Sequence, residues 1–436
     1  MKGGIRIGTI FNIPLFIDPS WFLIVALMTL SYQSDYVRLS RNLALLFGFL
    51  TAVLLFVSVL LHELGHSLTA KSQGIEVNSI TLFLFGGVAA IEKESKDPWS
   101  AFSVAIAGPL VSLALGGILW GAALALAGNG VFAVINQSTS QQAAAKLVSE
   151  AAAKLVNDVG IGRALVGSMA FNLAQINLVL GIFNLIPGLP LDGGQVLKAV
   201  VWKVTGSRMT GVRWAARSGQ FLGLIAIFIG VNLLFLRNGL FYAIWPILLG
   251  WFVMNNASAY LQFTNLQEAL MGLTAELAMT RDFRIVDAKM SLRQFADEFL
   301  LLREEKENPP AYFASADGRD RGAIAPEDFR YVERSQWESK TLNDIAKPFK
   351  SLDVVDLKTK IVEVIKLLEE KQIKRLTVLS PVGSVAGVID RGDVIRALAR
   401  KLRWPIPEAY IQQVKADGKF PPDLRLSELI AQIPPN

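Results

Sequence analysis

The chain has 436 residues and uses histidine twice, at His62 and His66, both inside the stretch LLHELGHSLTA that runs from Leu60 to Ala70. On an α-helix, positions i and i+4 share a face one turn apart, so the two imidazoles can meet a single metal ion at the roughly 2.0 Å that zinc prefers. Glu63 follows the first histidine and is placed to hold and deprotonate a water beside such an ion. The pattern is HExxH. A blander reading makes these two interfacial histidines beside a snorkelling glutamate. An ionisable cluster at the end of an apolar run is costly unless it is used, which favours the metal reading.

A catalytic zinc usually takes three protein ligands and keeps one position open. The chain has no cysteine and no further histidine, so the third ligand has to be a carboxylate or another oxygen. Asp192, in FNLIPGLPLDGGQV, is the only carboxylate between Asp158 and Glu268. Pro187 and Pro190 break a helix there, and Gly193-Gly194 permit irregular backbone. Unwound chain at membrane depth is tolerated only where it is buried in protein or lines a cavity. The competing reading makes Asp192 a turn residue at the membrane surface.

The elements that must carry these residues are apolar. Hydrophobic residues make up 52% of the chain and charged ones only 18%, too apolar a balance for a soluble globule. Windows of about 20 apolar residues, enough to cross a hydrocarbon core of about 30 Å, fall near 13–32, 43–63, 101–127, 165–187, 218–236 and 239–258. They predict about six transmembrane helices in a lipid bilayer. Trp21 suits an interfacial anchor, and no small-residue cleavage site follows the first window, so a signal peptide is not expected. Asn136 to Gly160, rich in Ala, Lys and Glu, reads as an exposed helix between the third and fourth spans. The absence of cysteine excludes disulfides, thiolate metal sites and cysteine nucleophiles. The net charge of +6 is modest, and no nucleic-acid partner is expected.

Loop charges set an orientation. Lys2, Arg6, Lys71, Lys93, Lys96, Lys198, Lys203, Arg208, Arg213 and Arg217 fall on one side, against Arg38, Arg41, Lys146, Lys154, Arg163 and Arg237 on the other. The bias puts both termini in the cytoplasm, for a multi-pass protein of the cell membrane. The second and fourth spans then run in the same direction, and His62, His66 and Asp192 arrive together at their cytoplasmic ends.

HELGH on one span and NLIPGLPLDGG two spans later resemble the site-2 protease family of intramembrane zinc metalloproteases, over roughly residues 1–260. The resemblance implies that His62, His66 and Asp192 bind one zinc ion per chain, that Glu63 is the general base, and that Asn184 is a polar residue close to the site. FLFGGVAAI, Phe83 to Ile91, is similar to the short hairpin with which family members are thought to align substrate as an added strand. AIAGPLVSLALG, Ala105 to Gly116, is similar to the family's glycine-proline segment. Ser112 stands there where many members have asparagine, and close helix packing through small residues is an alternative reading of the segment. The implied substrate is a membrane-spanning protein whose helix must unwind before it is cut.

From about Thr264 charged residues become frequent and apolar runs shorten, which marks a soluble region. GAIAPEDFRYV from Gly322 and GVIDRGDVIRAL from Gly387 are offset by 65 residues, each reading as a strand followed by a helix. Upstream of each comes another strand and helix, FRIVD with SLRQFADEFLLLREE and DVVD with KTKIVEVIKLLEEKQ. The repeat resembles a tandem pair of cystathionine β-synthase (CBS) domains. Such pairs often bind ATP or AMP and associate into homo-oligomers. The resemblance offers Asp328 and Asp393 as ribose contacts, but the hydroxyl positions hold Ala325 and Asp390, and an aspartate would repel phosphate. The expected fold is thus an α-helical polytopic membrane protein with a C-terminal α/β CBS pair: residues 1–260 membrane, 261–274 linker, 275–402 the pair, 403–436 tail. A CBS-gated transporter or an inactive scaffold is the alternative. Against it stand the intact Glu63 and the lack of polar residues spread over several spans.

Overall fold

The computed structural model describes residues 4–33, 41–84, 86–91, 95–127, 160–235, 240–301, 310–424 and 426. It divides into two units, Met1–Leu261 and Gln262–Asn436.

The first unit begins with strands. β1 (Ile5–Ile10) and β2 (Ile13–Ile17) form a hairpin whose two turn residues, Phe11 and Asn12, both have positive φ, as the twist of a two-residue hairpin turn requires. The first apolar window, expected as a span over 13–32, therefore splits: β2 buries Ile13, Leu15 and Ile17 with a period of two, and α1 (Ser20–Gln33) is only 14 residues long. Asp18-Pro19 makes the break, and the Asp18 carboxylate accepts hydrogen bonds from the backbone N–H of Ser20 at 2.9 Å and its hydroxyl at 2.6 Å. A hydropathy window averages over these periods and cannot separate them.

α2 (Arg41–Ser72) then carries HExxH, and β3 (Val77–Phe83) and β4 (Gly86–Ile91) follow as an antiparallel pair. β2 pairs parallel with β3, giving a sheet in the order β1-β2-β3-β4 with β4 at its edge. Ile13, Leu15 and Ile80 of the sheet pack with Leu64 of α2. Burying such side chains is worth about 1.5–3 kcal/mol each, so the sheet is fastened to the histidine-bearing end of the helix.

α3 (Pro98–Ala127), α4 (Ile161–Asn184), α5 (Asp192–Thr205), α6 (Arg208–Phe235) and α7 (Leu240–Met271) follow among the described residues. Among the described residues, four helices are long and apolar enough to cross a membrane: α2, α3, α4 and α6. The sixth expected window falls on α7 from its second residue on, and most of the excursion expected over Asn136–Gly160 lies outside the described residues.

The second unit repeats one strand topology. β5 (Phe283–Asp287) pairs parallel with β6 (Ala311–Ala316), which pairs antiparallel with β7 (Arg319–Ile324). β8 (Val354–Asp356), β9 (Arg375–Leu379) and β10 (Val385–Asp390) do the same. In the first copy the upstream helix is α8 (Leu292–Phe295), continued by a π-helical turn over Ala296–Leu301, and the segment after β7 is a 3₁₀ turn, Pro326–Tyr331. In the second copy α9 (Ile361–Glu370) and α10 (Arg391–Leu402) are regular helices around a core of Ile361, Ile365, Leu368, Leu376, Val378 and Ile389. The stretch 261–274, expected as a linker, is helical to Met271, and Leu266, Leu270 and Leu273 join that core. Residues beyond Leu402 form α11 (Glu408–Asp417), which buries Ile411 and Val414.

Candidate metal centre

His62 and His66 lie near the C-terminal end of α2, and Asp192 is the first residue of α5, just past the loop that ends α4. The Asp192 carboxylate thus lies in the first turn of a helix, where backbone N–H groups favour an anion. One of its oxygens, Oδ2, lies 3.0 Å from His62 Nε2 and 3.2 Å from His66 Nε2. The two Nε2 atoms are 3.2 Å apart.

The other ring nitrogens are engaged by α3. His66 Nδ1 is 2.7 Å from the Val104 carbonyl oxygen, which only accepts, so Nδ1 carries the proton. His62 Nδ1 is 2.9 Å from the Ser112 hydroxyl. With protons on the Nδ1 side, two Nε2 lone pairs and a carboxylate oxygen converge on one point, an arrangement that calls for a cation. Three donors at about 2.0–2.1 Å from a tetrahedral zinc would lie about 3.3 Å from one another, and the three observed separations of 3.0–3.2 Å fit that set. Among the described residues, His62, His66 and Asp192 are the one group of three or more His, Cys, Asp or Glu that could hold a metal ion.

Glycine lets two elements come this close. A Cβ on Gly108 of α3 would lie 2.2 Å from His66 Nε2 and 2.7 Å from His62 Nε2. A Cβ on Gly87 of β4 would lie 2.5 Å from Cγ of Glu63. The edge strand therefore runs directly over the candidate base. Gly193 and Gly194, expected to permit irregular backbone, instead sit in the first turn of α5, where side chains would strike the backbone of Leu185, Ile186, Gly188 and Leu189.

Asn184 ends α4, half-buried, and makes no hydrogen bond to the three donors. Val104 and Gly108 are contacts that the sequence does not mark as site residues, and Ser112, which the resemblance marks in place of asparagine, lies against His62. Their signal is the spacing of four along α3, legible only once α3 is known to lie against α2.

In the second unit Asp328 pairs with Lys347 at 2.8 Å. Asp393 is buried and paired with Lys415 at 2.6 Å and Arg396 at 3.0 Å, while Lys415 also reaches Asp390 at 2.9 Å. Asp390, which was expected to repel a phosphate, instead caps α10 by accepting from the Asp393 backbone N–H. Burial, with the neighbouring Asp390 second, pushes the Asp393 carboxyl above the usual carboxylate range, and Lys415 pulls it back.

An HExxH helix and an aspartate at the start of a second helix, brought together inside a bundle of membrane-length helices, define a metallopeptidase embedded in a membrane. The chain belongs to peptidase family M50, whose profile matches residues 50–229, and a CBS domain profile matches residues 343–400. A Synechocystis relative that bears a zinc metalloprotease name is 38% identical, covering 91% of this chain and 96% of its own. Rip3 of Mycobacterium tuberculosis, which bears the same class of name, is 30% identical over 84% of each chain. Among solved structures, a site-2 protease from Methanocaldococcus jannaschii matches 59% of this chain and 95% of its own, at 29% identity and a TM-score of 0.36. The protein is accordingly an integral membrane zinc metalloprotease with a C-terminal CBS domain.

Proposed function

We propose that the protein cuts a membrane-spanning protein substrate at one zinc ion held by His62, His66 and Asp192. The carrying observation is the convergence of two Nε2 atoms and one carboxylate oxygen at 3.0–3.2 Å, with the Nδ1 side of both rings engaged by α3. Zinc, when bound, supplies a Lewis acid that polarises the scissile carbonyl and acidifies water. Glu63 takes the proton from the attacking water and delivers it to the leaving amide nitrogen. Asn184, by the family resemblance, is the polar side chain available to the developing oxyanion.

The substrate needs an extended segment at the site, because helical carbonyls are already hydrogen-bonded. β4 offers it. It is the edge of its sheet and passes over Glu63 at Gly87, so a segment added beside it as a fifth strand would bring its backbone to the base. Loop charges orient the site toward the cytoplasmic face of the cell membrane. The two three-stranded sheets of the second unit act as a CBS pair that modulates cleavage in response to AMP or ATP and supports association into oligomers.

Glu63→Gln tests the reading. The variant should keep its zinc, since Glu63 is not a ligand, and lose cleavage. Membrane-fraction proteomics of cells with the active protein and with the variant should show fragments cut near the cytoplasmic face only in the former. Retained cleavage refutes the role of Glu63.

A further inference from the structure

We propose that Ser112 is a positioning residue for the metal site, fixing the tautomer and ring plane of His62 from the neighbouring helix. The inference rests on the zinc-site reading above. Val104, Gly108 and Ser112 fall at i, i+4 and i+8 of α3, one stripe facing α2. Each does a different job on the same two rings. The Val104 carbonyl accepts from His66 Nδ1 at 2.7 Å, Gly108 leaves room for both imidazoles, and the Ser112 hydroxyl meets His62 Nδ1 at 2.9 Å.

The two histidines are therefore held unequally. His66 is held by a backbone carbonyl, which no substitution removes. His62 is held by a side chain that is fully buried, as is nearly all of His62 itself. A hydroxyl can accept as well as donate, but a ring whose Nε2 faces Asp192 as a ligand must carry its proton on Nδ1, so Ser112 accepts. Removing the hydroxyl leaves a buried N–H without an acceptor and allows the proton to move to the Nε2 side, where it would block the lone pair. Loss of such an outer contact to a metal-ligating histidine typically costs 10–100-fold in metal affinity.

The chain's two histidines make the test direct, because ¹⁵N-histidine labelling reports only these rings. In the full-length, zinc-loaded protein, where Nε2 is taken up by the metal, Ser112→Ala should shift the His62 Nδ1–H resonance and speed its exchange with solvent while leaving that of His66 unchanged, which also serves as the check on folding. Zinc affinity, read by competition with a chelator, should fall about 10–100-fold. Ser112→Thr, which keeps the hydroxyl, should restore both. An unchanged His62 Nδ1–H resonance together with unchanged zinc affinity in Ser112→Ala overturns the proposal. Full zinc occupancy in His62→Ala would instead overturn the ligand assignment, independently of what Ser112 does to the ring.

Discussion

At the residue scale, the proposed site is three donors whose convergence fits a metal ion, and each donor should be separately indispensable. Asp192→Ala removes the oxygen that lies 3.0 Å and 3.2 Å from the two Nε2 atoms and should lower zinc occupancy and abolish cleavage. Atomic absorption on the purified variant checks the first, and cleavage of a membrane-embedded substrate checks the second; normal activity would mean that the third ligand lies elsewhere. The pairing of His62 with His66 was legible from the helical period, and Asp192 from being the only carboxylate between Asp158 and Glu268, while its meeting with the histidines rested on counting spans. Gly108 and Ser112 lie in a segment that the resemblance marks, but what they do there depends on which helix packs against α2, and no local spacing encodes that. Asn184 was singled out by resemblance alone, and it ends α4, half-buried.

At the element scale, the short sheet matters more than its few residues suggest. The window over residues 13–32 has the hydropathy of a span, yet Ile13, Leu15 and Ile17 alternate into a strand before the Asp18-Pro19 break, and the strand docks on the end of α2. Alternation over five residues is a weak signal inside an apolar average, which is why the sheet's first two strands were missed, whereas the repeat strands of the second unit, bounded by polar loops, fell where they were expected. β4 sets the position of Glu63. A Cβ at Gly87 would lie 2.5 Å from Glu63 Cγ, so Gly87→Ala must displace either the carboxylate or the strand edge. A misplacement of about 1 Å costs on the order of 100-fold in rate, and zinc, whose ligands are untouched, should stay bound. Measuring cleavage and metal content on the same preparation separates this outcome from a general collapse of the site, which would lose both.

At the scale of the whole molecule, the CBS region should act on the rate of cleavage without supplying a catalytic group. Adding AMP or ATP to the full-length protein should change its cleavage kinetics, through whichever arrangement of the pair the nucleotide binds more tightly. Identical kinetics with and without nucleotide would leave the region as an assembly or targeting module. Its stability depends on α11. Lys415 meets Asp390 and Asp393, all three nearly inaccessible to solvent, and removing one partner of a buried pair costs about 3–5 kcal/mol. Lys415→Ala should therefore destabilise this unit in chemical denaturation. The deficit should depend on pH. A folded Asp393 whose pKa is raised above its unfolded value holds its proton more tightly, so the variant's stability is greatest below the carboxylate range and is lost as pH rises through the folded pKa. The helix that carries Lys415 begins at Glu408, past the last residue matched by the CBS profile, Arg400. The boundary of the family and the boundary of the folding unit therefore do not coincide. A single proteolytic nick between Leu402 and Glu408, with release of the far piece, would take Lys415 away from two buried carboxylates and leave Asp393 to Arg396, while every residue of the recognisable repeat stays in place.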